Sequence, residues 1–299
     1  MRKKIVLFLA ILCMLLMLYC GNSVTTAAKA GVELCLHVVN PSKFPFFVIS
    51  AYITSQLRQY PQTALKPISR ICNIPSGSEA IFCLGILGGY PVGAQNIAHW
   101  YEDKVLSKED AERMLGFCNN AGPAFIFGML GNYFSNRLLL LYLWIIQIIS
   151  ALITAKLLPP KHKIKPCPNK KYNAITISKA MELSLKSIGI VCGWVILFKI
   201  LSTVLNGYLF LFPDAVKIVI MGVLELTNGC TLLHIISSEA TRFVPASGML
   251  SFGGICVHMQ TANLTQNLRK RKYVAGKLLQ TAISTSLAFA IQQIIFQYL

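Results

Sequence analysis

Gly85-Ile86-Leu87-Gly88-Gly89-Tyr90-Pro91-Val92-Gly93-Ala94-Gln95 is apolar, yet it cannot form one uninterrupted helix. Proline removes a backbone donor and crowds the preceding turn, and the paired glycines Gly88-Gly89 let the backbone leave helical geometry. The apolar halves on either side, within residues 77–99, are each too short to cross a hydrocarbon core of ~30 Å. Their surroundings make the break informative. Of 299 residues, 55% are hydrophobic and only 13% charged, and the mean hydropathy is +0.58. Soluble domains carry about twice that share of charge, so a bilayer is the solvent this composition suits; disorder, collagen and coiled coil are excluded. Irregular backbone at membrane depth survives only inside protein or around a cavity. The stretch therefore predicts a re-entrant hairpin or a broken helix.

Outward from that stretch, residues 138–158 and 278–299 read as clean spans, 187–205 as a span carrying Lys199, and 32–57 as a span kinked by Pro41 and Pro45. Residues 1–26 read as an uncleaved first transmembrane helix, because the bulky Tyr19 before Cys20 makes a poor signal cleavage site. A second hairpin is expected in 216–238, where Glu225-Leu226-Thr227-Asn228-Gly229 interrupts an apolar run. Each half then carries another broken motif: Cys118-Asn119-Asn120-Ala121-Gly122-Pro123 in the first, Ser251-Phe252-Gly253-Gly254-Ile255-Cys256 in the second. The mixed-charge residues 101–113, with the capping-box-like Ser107-Lys108-Glu109-Asp110, are expected as an interfacial helix.

The order span, hairpin, broken span, span thus occurs twice. It divides the chain into an N-terminal helix (1–26), a first repeat (27–158), a basic cytoplasmic link (159–175) and a second, inverted repeat (176–299). The fold expected is an all-α polytopic membrane protein with an inverted repeat, two broken-helix or re-entrant hairpins and about seven spans. Charge agrees with this topology. Residues 1–150 have a net charge of +5 and residues 151–299 of +12. The basic residues gather at Arg2-Lys3-Lys4, in the link holding Lys156, Lys161, Lys163, Lys165, Lys170 and Lys171, and at Arg269–Lys272. All three clusters abut apolar runs and fall on one side under the positive-inside rule. No basic face on a folded soluble domain is available for nucleic acid. The ten cysteines form no C-x-x-C pair, and the five histidines show no metal spacing. No H-E-x-x-H, G-x-S-x-G or P-loop pattern appears, so no enzyme, cofactor or metal site is expected.

The motifs at Gly89–Ala94 and Cys118–Phe125 resemble those of the sporulation integral membrane protein YlbJ family, which belongs with proteins carrying a nucleoside-recognition, or Gate, domain. Pro41-Ser42-Lys43-Phe44-Pro45-Phe46, Ser251–Gly254, Gln260 and the Tyr273…Lys277 opening of the last helix fit the same pattern. The resemblance covers nearly the whole chain. It implies a multi-pass protein of a membrane of the developing spore, needed for spore development and cortex maturation.

Physical chemistry gives the breaks a binding role. Half-helix ends expose partial charges. Gly88, Gly89, Gly93, Gly122, Gly229, Gly253 and Gly254 would let backbone approach a ligand, while Tyr90, Gln95, Asn119, Asn120, Glu225, Thr227, Asn228 and Gln260 would orient it. The alternative for the same residues is close helix packing. The expected function is passage of a small solute, with the spore dicarboxylate dipicolinate as the anion considered, held by the Asn119-Asn120 and Asn228-Gly229 breaks. A neutral nucleoside-like solute and a non-transporting structural or assembly protein of the spore membrane are the rival readings. The bilayer is the expected partner, with a second copy or other spore membrane proteins as further candidates. Glu225 is read either as a functional carboxylate or as the partner of Lys199 or Lys217.

Overall fold

A computed structural model describes residues 2–60, 62–160, 162, 164–167 and 174–295, and among these every regular element is helical. Lys161, Lys163, Lys170 and Lys171 of the basic link, and the last four residues of the 278–299 span, lie outside the described residues. Helix α1 is Arg2–Tyr19, shorter than the 1–26 expected, because Gly21 already opens α2 (Gly21–Leu34). A π-helical turn, Cys35–Val39, joins α2 to α3 (Asn40–Leu57), so Gly21–Leu57 is one long helix rather than a kinked span starting near residue 32. Helix α4 is Lys66–Cys72. The glycine-rich stretch forms a hairpin of α5 (Glu79–Gly88) and α6 (Val92–Glu102). Helix α7 (Lys108–Cys118) stops at Asn119, α8 (Pro123–Gly128) resumes the chain, and α9 is Arg137–Leu157.

In the second half, α10 (Ile177–Asn206) is followed by α11 (Asp214–Leu224) and α12 (Leu226–Thr231), broken at Glu225. Helices α13 (Glu239–Phe252) and α14 (Gly254–Leu264) are broken at Gly253, where φ is +84°, and α15 is Arg271–Ile295. Among the described residues, four helices are long and apolar enough to cross a bilayer: Gly21–Leu57, Arg137–Leu157, Ile177–Asn206 and Arg271–Ile294.

These long helices are apolar outside and polar inside. On α9, Leu138, Leu141, Ile145 and Ile149 are exposed, while Gln147, Ser150 and Thr154 are fully buried. Both sets repeat at helical spacing on opposite faces. That arrangement would be unfavourable in water and suits lipid. On α15 the inward stripe is Tyr273, Lys277, Gln280 and Ser284. The reading of 278–299 as a clean span began one residue too late to include Lys277.

Hydrogen bonds define two ends of the bundle. At one, His162 pairs with Glu109 (2.6 Å), the backbone of Arg269 donates to Glu112 (2.9 Å), Cys167 donates to the Ser76 carbonyl (3.0 Å), and Arg58 pairs with Asp103. The basic link and the Arg269 cluster therefore reach the same end of α7, and the α5/α6 hairpin opens there. At the other end the backbone of Ser135 donates to Glu239 (2.6 Å), and Arg242 donates to the carbonyls of Tyr133 (2.8 Å) and Ile236. Helix α7 runs inward from the first end and α13 from the second. The mixed-charge segment is divided between surface and interior: Glu102, Asp103, Lys104, Lys108 and Glu109 are exposed at this end of the bundle. Ser107 caps α7 through the Asp110 N–H (3.1 Å), but Asp110, Glu112 and Arg113 are all buried. Arg113 donates to the carbonyls of Cys72 (2.6 Å), Asn73 (2.7 Å) and Ala155 (2.9 Å), satisfying the ends of α4 and α9.

Candidate functional site

The four breaks meet in the middle of the bundle. A Cβ added to Gly89 would lie 2.8 Å from the Gly122 nitrogen, and one on Gly85 or Gly93 would lie 1.9 Å from the Cys118 carbonyl oxygen. Only glycine allows this backbone-on-backbone approach. In the second half a Cβ on Gly254 would lie 3.0 Å from the Leu226 nitrogen, and one on Gly253 3.0 Å from the Tyr90 ring. The glycines therefore draw first-half and second-half breaks into one cluster.

Beside this cluster lies a cavity of about 620 Å³, within the usual range for small-molecule sites. The π-helical turn and the start of α3 form one wall, with His37, Val38, Val39, Ser42 and Lys43. The breaks contribute Gly88, Tyr90, Gly122, Glu225, Thr227 and Gln260. Asn132 and Phe125 close it below α8, and Val191 and Val195 of α10 supply apolar surface. Lys43 donates to the Tyr90 carbonyl (2.9 Å); an ammonium carries three donors, so two remain. The Glu225 carboxylate accepts from the backbone N–H groups of Thr227 (3.0 Å) and Asn228 (2.8 Å), capping α12. It forms no ion pair with Lys199 or Lys217: Lys199 donates to Asn228 (3.2 Å) and Lys217 pairs with Asp214 (2.9 Å).

A buried polar network backs the cavity. Lys277, fully buried, donates to the Asn119 carbonyl (2.8 Å), the Tyr90 hydroxyl (3.0 Å) and the Asn120 side chain (3.4 Å). Tyr90 donates onward to the Ser251 carbonyl (3.0 Å). Gln280 donates to Asn120 (2.8 Å), and Gln147 to Ser251 (2.8 Å). Asn119 donates to Thr261 (2.9 Å), and Tyr273 bonds His258 (2.8 Å). Among the described residues no group of three potential metal-ligating side chains gathers.

This chain is similar to the sporulation integral membrane protein YlbJ of Bacillus subtilis (strain 168), with 25% identity over an alignment of 301 residues that covers 85% of the chain and 74% of the relative. The similarity supports the YlbJ family. No family model and no solved structure matches. With the four apolar helices, it establishes a multi-pass integral membrane protein.

Of the residues expected at a site, the helix breaks bring Gly88, Tyr90, Gly122, Glu225, Thr227 and Gln260 to the cavity wall. Gly89, Gly93, Gly229, Gly253 and Gly254 serve close backbone packing instead. Asn119 and Asn120 are fully buried and bridge helices, Asn228 is bonded to Lys199, and Gln95 is buried away from the cavity. None of these three asparagines lines the cavity. Lys43 and His37 in the cavity wall and Lys277 behind it are functional candidates beyond the expected site residues. A usable signal was present for Lys277: Tyr273, Lys277, Gln280 and Ser284 share one helix face.

Proposed function

We propose that this protein passes a small carboxylate-bearing solute across a membrane of the developing spore, with dipicolinate as the solute to test first, and that it does no covalent chemistry. The observation that carries the reading is the cavity itself. It is enclosed by helix breaks from both halves, and Lys43 stands in its wall with donors to spare. The ammonium would take a carboxylate directly. Glu225 also lines the cavity, and two backbone N–H groups engage its carboxylate oxygens. The relative's printed description supports the setting.

Alternating access is supported by the arrangement of the halves. The α5/α6 hairpin opens toward the basic end, and α11/α12 leads back to the other end through Ile236. That opposition supports an inverted repeat with seven crossings: α1, the four long helices and the two broken segments α7/α8 and α13/α14. A second reading, a neutral nucleoside-like solute, draws on the hydrogen-bonding set Glu225, Thr227 and Gln260.

The test has two arms. Full-length protein in liposomes is offered labelled dipicolinate and labelled nucleosides. The chain is also expressed in a Bacillus subtilis strain lacking YlbJ, and spore dipicolinate is measured. Uptake of dipicolinate, abolished by Lys43→Met and retained in part by Lys43→Arg, is the expected result. Uptake of nucleoside alone would favour the second reading. No uptake of either, with normal spores restored, would favour a structural role.

A further inference from the structure

We propose that the Lys277 ammonium is a built-in cation that occupies an oxygen-lined site at the C-terminal end of α7, linked to the end of α13 through Tyr90, and that the protein therefore holds no coupling sodium ion there. In broken-helix transporters, unwound carbonyls and half-helix C-termini coordinate a monovalent cation, because the backbone dipoles leave partial negative charge at those ends. The same place exists in this chain. Helix α7 ends at Cys118 and delivers the Asn119 carbonyl; α13 ends at Phe252 and delivers the Ser251 carbonyl through Tyr90. The two ends come from opposite halves of the chain. Lys277 reaches in from α15 and places Nζ within 2.8–3.4 Å of three oxygens, on Asn119, Tyr90 and Asn120. The Tyr90 ring lies 5.1 Å from the same nitrogen, a further attraction for a cation.

Nothing else in the surroundings accounts for a charge there. Lys277 is fully buried, and none of the ion pairs among the described residues includes it. An ammonium without a carboxylate partner is costly in a membrane interior. Here its neutralising field comes from helix ends and dipoles, the set that would otherwise hold a free ion. Lys277 stands behind Tyr90 rather than in the cavity wall, so it is not a competitor for solute. The word coupling rests on the solute-passage reading, but the occupancy of the site does not.

The experiment separates the two. Purified full-length protein in detergent is melted in sodium, potassium, methylammonium or choline chloride at equal ionic strength. Wild type should melt at one temperature in all four. Lys277→Ala should melt lower in choline and recover roughly 5 °C or more in at least one of the three small cations, as a ligand that binds only the folded state must do. Lys277→Met, which fills the space without charge, should melt low and respond to none. If wild type is itself stabilised by sodium over choline by that margin, the proposal is overturned, whatever Lys277→Ala does. It is equally overturned if Lys277→Ala is insensitive to every small cation. These melts need no transport, so failure of dipicolinate uptake would remove only the solute reading.

Discussion

Gly93→Ala should damage the protein far more than a one-carbon change ordinarily does. The new Cβ would sit 1.9 Å from the Cys118 carbonyl oxygen, whereas ordinary contacts begin near 3.4 Å. Helix α6 and the end of α7 would have to separate by about 1.5 Å. A gap of even 0.5–1 Å forfeits a quarter to a half of a contact's attraction. The loss would spread through Ala94, Ile97, Met114, Leu115 and Phe117, which pack in one core cluster. The obstacle is backbone, which cannot rotate away like a side chain, so the cost should reach the upper end of the overpacking range, about 3 kcal/mol. For a chain of 299 residues, at an unfolding entropy of about 2.1 cal/mol/K per residue, that corresponds to a melting point lower by roughly 5 °C. Gly189 on α10 supplies the control: it is exposed, and nothing lies within 4 Å of its added Cβ. Gly189→Ala should gain up to about 1 kcal/mol from reduced chain entropy. Both variants are melted in the same detergent by tryptophan fluorescence. If Gly93→Ala accumulates normally and melts within about 2 °C of Gly189→Ala, the breaks are not in backbone contact and the reasoning fails.

Three further outcomes are expected. Single cysteines at Lys165 and Arg269 in a cysteine-free background should resist an impermeant thiol reagent in intact cells and react after lysis, since both segments reach the same end of α7 and carry the basic clusters; labelling of either from outside would overturn the topology. Arg113→Met should lower stability by at least about 3 kcal/mol, because four carbonyls at the ends of α4 and α9, those of Cys72, Asn73, Ala155 and Leu158, lose their donor, and Arg113→Lys should recover part of it; equal melting of all three proteins would refute the capping role. Burial pushes the half-buried Lys270 ammonium, between α14 and α15, down to about 8, with Glu112 opposing. An unfolded lysine titrates near 10.4, so the folded state binds fewer protons across that window and stability rises as pH goes from about 8 to about 10; wild type should gain on Lys270→Met over that interval, and parallel melting curves would refute it.

What could be read from the sequence was the set of places where helices must stop. Gly88-Gly89, the Asn119–Gly122 stretch, Glu225 and Gly253-Gly254 each interrupt an apolar run, and each is a break. What those breaks do to one another was hidden, because the partners lie far apart in the chain. The carbonyl that Lys277 satisfies belongs to a residue 158 positions earlier. A lysine at the head of an apolar run reads as an interfacial anchor until that carbonyl is known. Residues 101–113 hold a related case, with the charges up to Glu109 exposed. Their mixed charge looks solvated, yet Arg113 is drawn inward by helix ends that sequence alone cannot place beside it. The asparagines were read as ligand-facing, but amides bridge helices equally well, and only the packing of α14 and α15 decides between the two for Asn119 and Asn120.

The π-helical turn at the cavity has a consequence for how the chain can change length. It closes from the Asn40 N–H to the Cys35 carbonyl, one residue further than an α-turn. A surplus residue held in one wide turn leaves the helices on either side in the angular phase they would have without it. Removing Val38 should therefore keep Gly31 against Ile196 and Lys43 on the Tyr90 carbonyl, while trimming only the cavity wall. Removing Ala28, inside regular α2, would instead turn the buried Ala27 by about 100° relative to Gly31. The long helix should thus tolerate a one-residue deletion at the place where it borders the cavity, and descendants of this gene could resize the chamber there without refolding the bundle.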